Sequence, residues 1–458
     1  MYKKISLVIF SIINFLQIIS GLNDLPKQLH MAQGKTPESM VISWITQSKI
    51  KSQIAYGYLN DQKKYFIDLD YSTRYEFNYF PYQNYTSGYI HHIRIDNLVP
   101  DTLYEFECGD FDLHQTVKSN FKTLLPIGFQ SQTVPIVYGV IGDIGQTKDS
   151  KATLSHLSQD KIIQMILHAG DLSYADCNQT AWDTYGQMIE PVSKRIPWMV
   201  GPGNHEIEFN PSNTNTNTNP YLAFESRYRM PTDKPAEYGL VTMNVSINPS
   251  TGLPYCTPST FQSEYNYGNS FYSFEAGLTH FIFLNPYTTT DENSPQYKWL
   301  ISDLESIDRK KTPWVITITH CPWYNSNKAH QNETQTIWMR ETFEPIFYKY
   351  KVNLVFTGHV HAYERTYPVY QNKIDLSGPT YIVIGNGGNN EGHASTYIDK
   401  PEWSAYRNGT QYGYGLLFVK DSNKLEWKWF RNIDSKFVSQ DNTVINNNYY
   451  KKNLRYNL

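Results

Sequence analysis

A chain of 458 residues is too long for one ordinary hydrophobic core, so two or three domains are expected. Apolar residues make up 40% and charged residues 18%, a balance that allows a substantial buried interior. The net charge of −3, with no dense Lys/Arg run, excludes recruitment of nucleic acid by electrostatics.

The chain opens with Met1-Tyr2-Lys3-Lys4, an apolar run from Ile5 to Ile19, and the small residues Ser20-Gly21. A short cationic start, an apolar stretch and small residues after it read as a signal peptide over 1–21. A bilayer-spanning helix needs roughly 20 apolar residues. This run is shorter and carries Ser6, Ser11, Asn14 and Gln17, so no membrane anchor is expected. The chain is therefore expected to be secreted, or to reside in the lumen of the secretory or lysosomal pathway. Sequons at Asn84, Asn178, Asn244, Asn332 and Asn408 agree with a glycoprotein. Cys108, Cys177, Cys256 and Cys321 permit two disulfides in three pairings, or thiols left unpaired. No Cys-x-x-Cys pair exists, so these cysteines do not read as a metal site.

Residues 22–125 carry short alternating runs, among them Met40–Ile45, Gln53–Tyr58 and Tyr89–Ile95, parted by turn residues every ten or so positions. That rhythm predicts an antiparallel β-sandwich. Leu98-Val99-Pro100-Asp101-Thr102-Leu103-Tyr104 resembles a fibronectin type III-like module, in which the tyrosine packs in the core. His91-His92 falls on alternating strand faces and reads as structural.

After Pro126 the rhythm changes. Apolar runs at Ile136–Ile141, Ile163–Leu167, Trp198–Val200, Trp314–Ile318 and Val352–Phe356 are separated by segments long enough for helices, with candidates at Ser150–Leu157, Asp183–Ser193, Gln296–Ile307 and Glu333–Tyr350. Strands alternating with helices indicate a layered α/β domain over 126–445. Further strands at Tyr381–Ile384, Leu416–Val419 and Leu425–Trp429 complete it. Asn210–Pro220 is a polar Asn-Thr repeat read as a surface loop, and 446–458 as a polar tail.

Each of five strands ends in a polar cluster: Gly142-Asp143-Ile144-Gly145, Gly170-Asp171-Leu172-Ser173-Tyr174, Gly203-Asn204-His205-Glu206, Thr319-His320 and Gly358-His359-Val360-His361. Ligands bind at the C-terminal edge of such sheets, where loops converge. One Gly-Asp is an ordinary turn. Five clusters in this order, each supplying O or N donors, point to a buried cation site.

The order of these clusters resembles the metallophosphoesterase superfamily, and specifically the purple acid phosphatases. Asp171–Asp176, His320–Ser326 and Gly358–Arg365 carry longer matches. The resemblance implies an α/β metallophosphoesterase domain, a β-sheet sandwich flanked by helices, behind the N-terminal all-β sandwich. Most relatives have a metal-binding His where Gly145 stands; in purple acid phosphatases a tyrosine of the second motif replaces it, and Tyr174 occupies that place. The resemblance implies Asp143, Tyr174 and His361 around Fe(III), and Asn204, His320 and His359 around a divalent Zn, Mn or Fe. Asp171 would bridge the two. Carboxylate and phenolate suit Fe(III), and imidazole and amide oxygen suit the divalent ion.

The implied reaction is hydrolysis of phosphate monoesters in acid by a metal-held hydroxide. His205 and His330 are candidates for protonating the leaving group. Plant members carry a His-His pair where this chain has Ala329-His330, which puts substrate preference in doubt. Asn386, where relatives carry Asp, and the pair Glu364-Arg365 are expected to be structural, the latter as an ion pair. A phosphodiesterase or nucleotide hydrolase with the same site is the rival reading, and an inactive secreted binding protein is the rival of another class. Phosphate monoesters are the expected partners, and a homodimer stays open.

Overall fold

The computed structural model describes residues 24–79, 83–129, 135–208, 217–232, 241–242, 256, 265–434 and 438–449. The expected leader, most of the Asn-Thr repeat, Asn244 and residues 450–458 lie outside these.

The alternating runs of the N-terminal part form two antiparallel sheets. One orders Lys27–Gln33, Met40–Thr46 and Tyr89–Ile95; the other orders Tyr65–Leu69, Ser52–Tyr58, Leu103–Asp110 and Gln115–Lys122. Their inward residues, including Leu29, Trp44, Ile54, Ile93 and Phe106, close a separate core. Tyr104 is buried there, and its hydroxyl accepts the Val99 N–H at 2.9 Å. His91 lies between the hydroxyls of Thr46 and Ser52, at 2.8 and 2.7 Å. Burial pushes its pKa down to about 4, so it is a neutral core residue.

Two sheets form the second domain. The six-stranded sheet runs Trp198–Val200, Ile163–His168, Ile136–Ile141, Gly413–Val419, Lys424–Arg431, Asp441–Asn446, its first three strands parallel. The seven-stranded sheet runs Tyr272–Ala276, Thr279–Phe283, Trp314–Ile318, Leu354–Thr357, Thr380–Ile384, Tyr363–Thr366, Ser404–Asn408. Its four central strands are parallel. The sheets face each other: Tyr138 meets Phe281 edge-on at 5.0 Å, and Phe356 packs on Trp427 at 5.0 Å. Parallel strands buried on both faces need apolar side chains throughout, which is why these runs lack polar alternation.

Helices cover the outer faces. Helices α1 (Lys148–Gln159) and α2 (Thr180–Ser193) bury Leu154, Leu157, Trp182 and Tyr185. Thr147 caps α1, accepting the N–H groups of Asp149 and Ser150. A short helix, α3 (Leu222–Arg227), follows. Helices α4 (Pro295–Ser306) and α5 (Thr334–Tyr350) set Leu300, Leu304, Met339, Phe343 and Phe347 against Val315 and Val355. Each such side chain contributes roughly 1.5–3 kcal/mol by burial.

The domains are joined by a buried arginine. Arg227 donates to Tyr75 and Tyr85 hydroxyls at 3.1 and 2.8 Å, to Gln28 Oε1 at 3.0 Å and to Asp183 at 3.0 Å. A buried guanidinium demands this full set of acceptors.

Three details settle or correct the sequence reading. Cys177 and Cys256 are disulfide-bonded, and Cys108 and Cys321 are buried thiols. Glu364 and Arg365 do not pair with each other. Glu364 accepts from the Ser326 N–H and the hydroxyls of Ser326 and Ser404, while Arg365 is bidentate to Asp441 at 2.7 and 2.9 Å. Neighbours on a strand point to opposite faces, so each found a different partner. Asn447 and Asn448, expected in a polar tail, are buried and both accept from Asn353.

Candidate metal centre

The five clusters follow the strands ending at Ile141, His168, Val200, Ile318 and Thr357. Asp143, Asp171, Tyr174 and His359 adopt left-handed backbone, with φ of 53°, 54°, 49° and 69°. Such conformations cost about 1–3 kcal/mol each in non-glycine residues. Hydrogen bonds offset the cost. The Asp143 N–H donates to Gly170 O at 3.1 Å, the Asp171 N–H to Glu206 at 2.8 Å, and the His359 N–H to Asp143 Oδ1 at 2.8 Å. Glu206 also accepts from Leu172 and Gly203, so one buried carboxylate ties two loops together. At Gly203 and Gly358 a Cβ would collide with the carboxylates of Asp171 and Asp143 respectively. Only glycine lets the chains approach this closely.

The seven side chains named from the sequence are all buried and lie in one neighbourhood. Asp171 is central. Its Oδ2 lies 3.1 Å from His320 Nε2 and 3.4 Å from the Tyr174 hydroxyl, while its Oδ1 accepts the His205 N–H at 2.9 Å. On one side the Tyr174 hydroxyl lies 3.2 Å from His361 Nε2, which is 3.6 Å from Asp143 Oδ1. On the other, Asn204 Oδ1 lies 3.2 Å from His320 Nε2. Donor atoms of Asp171, His320 and His359 all fall within 4.8 Å of one another.

The chemistry of this donor set calls for cations. His320 Nδ1 is 2.7 Å from the carbonyl oxygen of Ala169, which can only accept, so Nδ1 carries the proton. Burial opposes a charge on this ring, but the Asp171 and Asp143 carboxylates outweigh it and raise the His320 pKa to about 9, so positive charge is favoured where Nε2 faces Asp171 Oδ2 and Asn204 Oδ1. A bound cation would take the place of the Nε2 proton among these three atoms. Burial, reinforced by the Asp171 carboxylate, raises Asp143 well above the usual carboxylate range. Burial and the nearby carboxylates likewise raise the Tyr174 phenol. Bound cations would reverse both shifts and hold these groups ionised. The residues present fit a metal pair.

Both proposed proton donors border the cluster. The His205 ring lies 4.1 Å from that of Tyr174, tilted by 35°, with Nδ1 2.6 Å from Asp176 and Nε2 3.6 Å from Glu391. His330 is half-buried; its ring lies 3.8 Å from that of His359. Sequence reasoning missed two acids here. Glu333 places one oxygen 2.8 Å from His330 Nδ1 and the other 2.8 Å from His359 Nε2. Glu391 lies 3.7 Å from His361 Nε2. A Glu three residues beyond His330, at a helix start, was the only available signal for Glu333. Glu391 gave none, because it arrives from a loop beyond the Gly387-Gly388 turn.

Fold and site together define a metallophosphoesterase, and residues 136–363 match the calcineurin-like phosphoesterase family. Residues 26–123 match the purple acid phosphatase N-terminal domain, and 378–446 the iron/zinc purple acid phosphatase-like protein C family. A probable purple acid phosphatase 20 of Arabidopsis thaliana is 39% identical over 417 residues, covering 91% of this chain and 86% of its own. The Fe(3+)-Zn(2+) purple acid phosphatase 12 of the same plant is 33% identical over 445 residues, with 93% and 85% covered. In fold, the chain is similar to a purple acid phosphatase from yellow lupin seeds, with a TM-score of 0.73 at 22% identity, covering 92% of this chain and 74% of that one. The chain belongs to the purple acid phosphatase family.

Proposed function

We propose that this chain is a secreted acid phosphatase that hydrolyses phosphate monoesters at a binuclear centre of Fe(III) and a divalent Zn, Mn or Fe. Asp143, Tyr174 and His361 would hold the iron, Asn204, His320 and His359 the divalent ion, and Asp171 would bridge them. The observation that carries this reading is the position of Asp171, whose one carboxylate lies against Tyr174 on one side and His320 on the other. The relative named for Fe(3+) and Zn(2+) supports the choice of ions.

When bound, the ion pair supplies Lewis acidity to the phosphoryl oxygens and lowers the pKa of water from 15.7 to about 7 or below. The protein's own residues do the rest. His205, held by Asp176, gives a proton to the leaving alkoxide. His330, braced by Glu333, flanks the substrate on the divalent side. The reading divides the chain into a leader over 1–21, a β-sandwich domain over 22–125, a catalytic domain over 126–445 and an end segment over 446–458.

Secretion is supported by the leader-like start, by exposed sequons at Asn84, Asn178 and Asn332, and by the Cys177–Cys256 disulfide, which suits an oxidising compartment. Among the described residues no helix is long and apolar enough to cross a membrane.

The test compares turnover of an aryl phosphate monoester and its bis-aryl diester across acid pH, alongside metal analysis. Faster monoester turnover with both iron and a divalent ion present is expected. Preference for the diester would shift the reading to a phosphodiesterase, and a metal-free, inactive protein would overturn it.

A further inference from the structure

Asn332-Glu333-Thr334 is a sequon that the metal centre does not use. Asn332 is exposed, has left-handed backbone with φ 58°, and precedes Glu333, the cap of α5. Asparagine tolerates this conformation better than most residues. Thr334, the first residue of the helix, is exposed as well.

The place matters more than the motif. Asn332 lines a 340 Å³ pocket together with His330, Tyr324, Arg340 and Trp403. His330 lines that pocket too, and its ring lies 3.8 Å from that of His359, a proposed ligand of the centre. Glu333, the middle residue of the sequon, is the carboxylate that contacts both histidines. The other described sequons lie elsewhere. Asn84 is on a hairpin strand of the N-terminal domain, Asn178 adjoins the Cys177 disulfide, and Asn408 is half-buried on a sheet edge.

We propose that Asn332 is an N-glycosylation acceptor whose glycan stands over the pocket beside His330 and excludes bulky phosphate monoesters from the centre. The inference rests on the secretory reading given above. In the transfer, the Asn332 amide nitrogen bonds to the anomeric carbon of a polyprenyl-diphosphate-linked oligosaccharide. That carbon's bond to the diphosphate oxygen breaks, its electron pair leaves with the diphosphate, and the displaced amide proton passes to a base of the transferase. A branched oligosaccharide is too large for the pocket, so it projects across the mouth. Small aryl phosphates pass beneath it; a phosphorylated protein does not.

The experiment expresses the full chain with its own leader in a eukaryotic secretory host and maps glycopeptides of the protein recovered from the medium. Thr334→Ala removes the acceptor signal and keeps Asn332, while Thr334→Ser retains the signal. Occupied Asn332 is expected in the wild type and in Thr334→Ser. In Thr334→Ala the KM for phosphorylated casein should fall roughly three- to tenfold, with the KM for a small aryl phosphate changed by less than about twofold. Protein that never reaches the medium would defeat the secretory reading itself. Secreted protein glycosylated at Asn84 or Asn178 but bare at Asn332 would overturn the acceptor. An occupied Asn332 with the same ratio of KM values in Thr334→Ala and Thr334→Ser would overturn the steric role.

Discussion

His205 Nδ1 sits 2.6 Å from the Asp176 carboxylate, and this contact fixes how the imidazole lies over Tyr174. An orienting carboxylate selects one ring face and one tautomer, leaving Nε2 turned away from Asp176. His205→Ala is therefore expected to lower kcat on an aryl monoester by about 10²-fold, the usual size of a general-acid contribution. Metal content should stay unchanged. His330→Ala, measured beside it, apportions proton delivery between the two. Full rates in both variants would remove the assignment.

The Tyr174 hydroxyl lies against Asp171 and His361. If it binds iron as proposed, its phenolate would give a ligand-to-metal charge-transfer band, so the purified protein is expected to absorb visible light. Tyr174→Phe should abolish that band. A colourless wild type containing zinc alone would contradict the iron assignment.

Gly358 has no room for a side chain. A Cβ there would meet the Asp143 carboxylate, the Ala169 carbonyl and His320 Nδ1. Gly358→Ala is expected to destabilise the fold by about 1–3 kcal/mol, the range for overpacking a close contact. The metal content should fall with it, because the displaced groups include two proposed ligands. Thermal melting together with metal analysis checks this.

Far from the centre, His280 lies 2.8 Å from Asp303 and 3.1 Å from Glu275. Burial opposes its charge, but the two carboxylates outweigh burial and raise its pKa to about 9. A folded-state value above the ordinary 6.5 means the contribution is complete below pH 6.5 and is lost as pH rises through 9. Relative to His280→Gln, the wild type should lose roughly 3 kcal/mol of stability over that window. Denaturant titrations of both proteins at the two ends would measure it. Parallel profiles would rule out a charged His280.

The Cys177–Cys256 bond closes a loop with a sequence separation of 79. Loop-closure entropy for a ring of that size corresponds to about 4 kcal/mol. Cys256→Ser should lower the unfolding midpoint accordingly, and reductant should lower the wild type to the same level. A variant as stable as the reference would show that the bond constrains nothing.

The candidate centre was legible because four of its five clusters join a buried apolar strand to a glycine and a chelating side chain within a few residues, and the fifth, Thr319-His320, has the strand and the histidine without the glycine. Asp143, Asp171, Tyr174 and the His359/His361 pair all carry that local signature. Glu333 and Glu391 do not. They reach the histidines by the docking of a helix start and of a distant loop, and spacing along the chain encodes neither. The sheet partition was hidden for the same reason. Gly413–Val419 lies antiparallel beside Ile136–Ile141, far away in the chain. The hairpin Tyr272–Ala276 to Thr279–Phe283 turns at Gly277, φ 54°, and its strands did not stand out among the aromatic residues around them. Pairing Glu364 with Arg365 neglected a rule that strand geometry states outright.

Asp143, Asp171, Tyr174 and Asn204 come from the six-stranded sheet, whereas His320, His359 and His361 come from the seven-stranded one. The two halves of the donor set thus ride on separate slabs held in register by contacts such as Tyr138 on Phe281. A slip of an ångström between slabs would part the jaws before it unfolded anything. Turnover should then act as a strain gauge for the interior, failing under heat or pressure while circular dichroism still reads native.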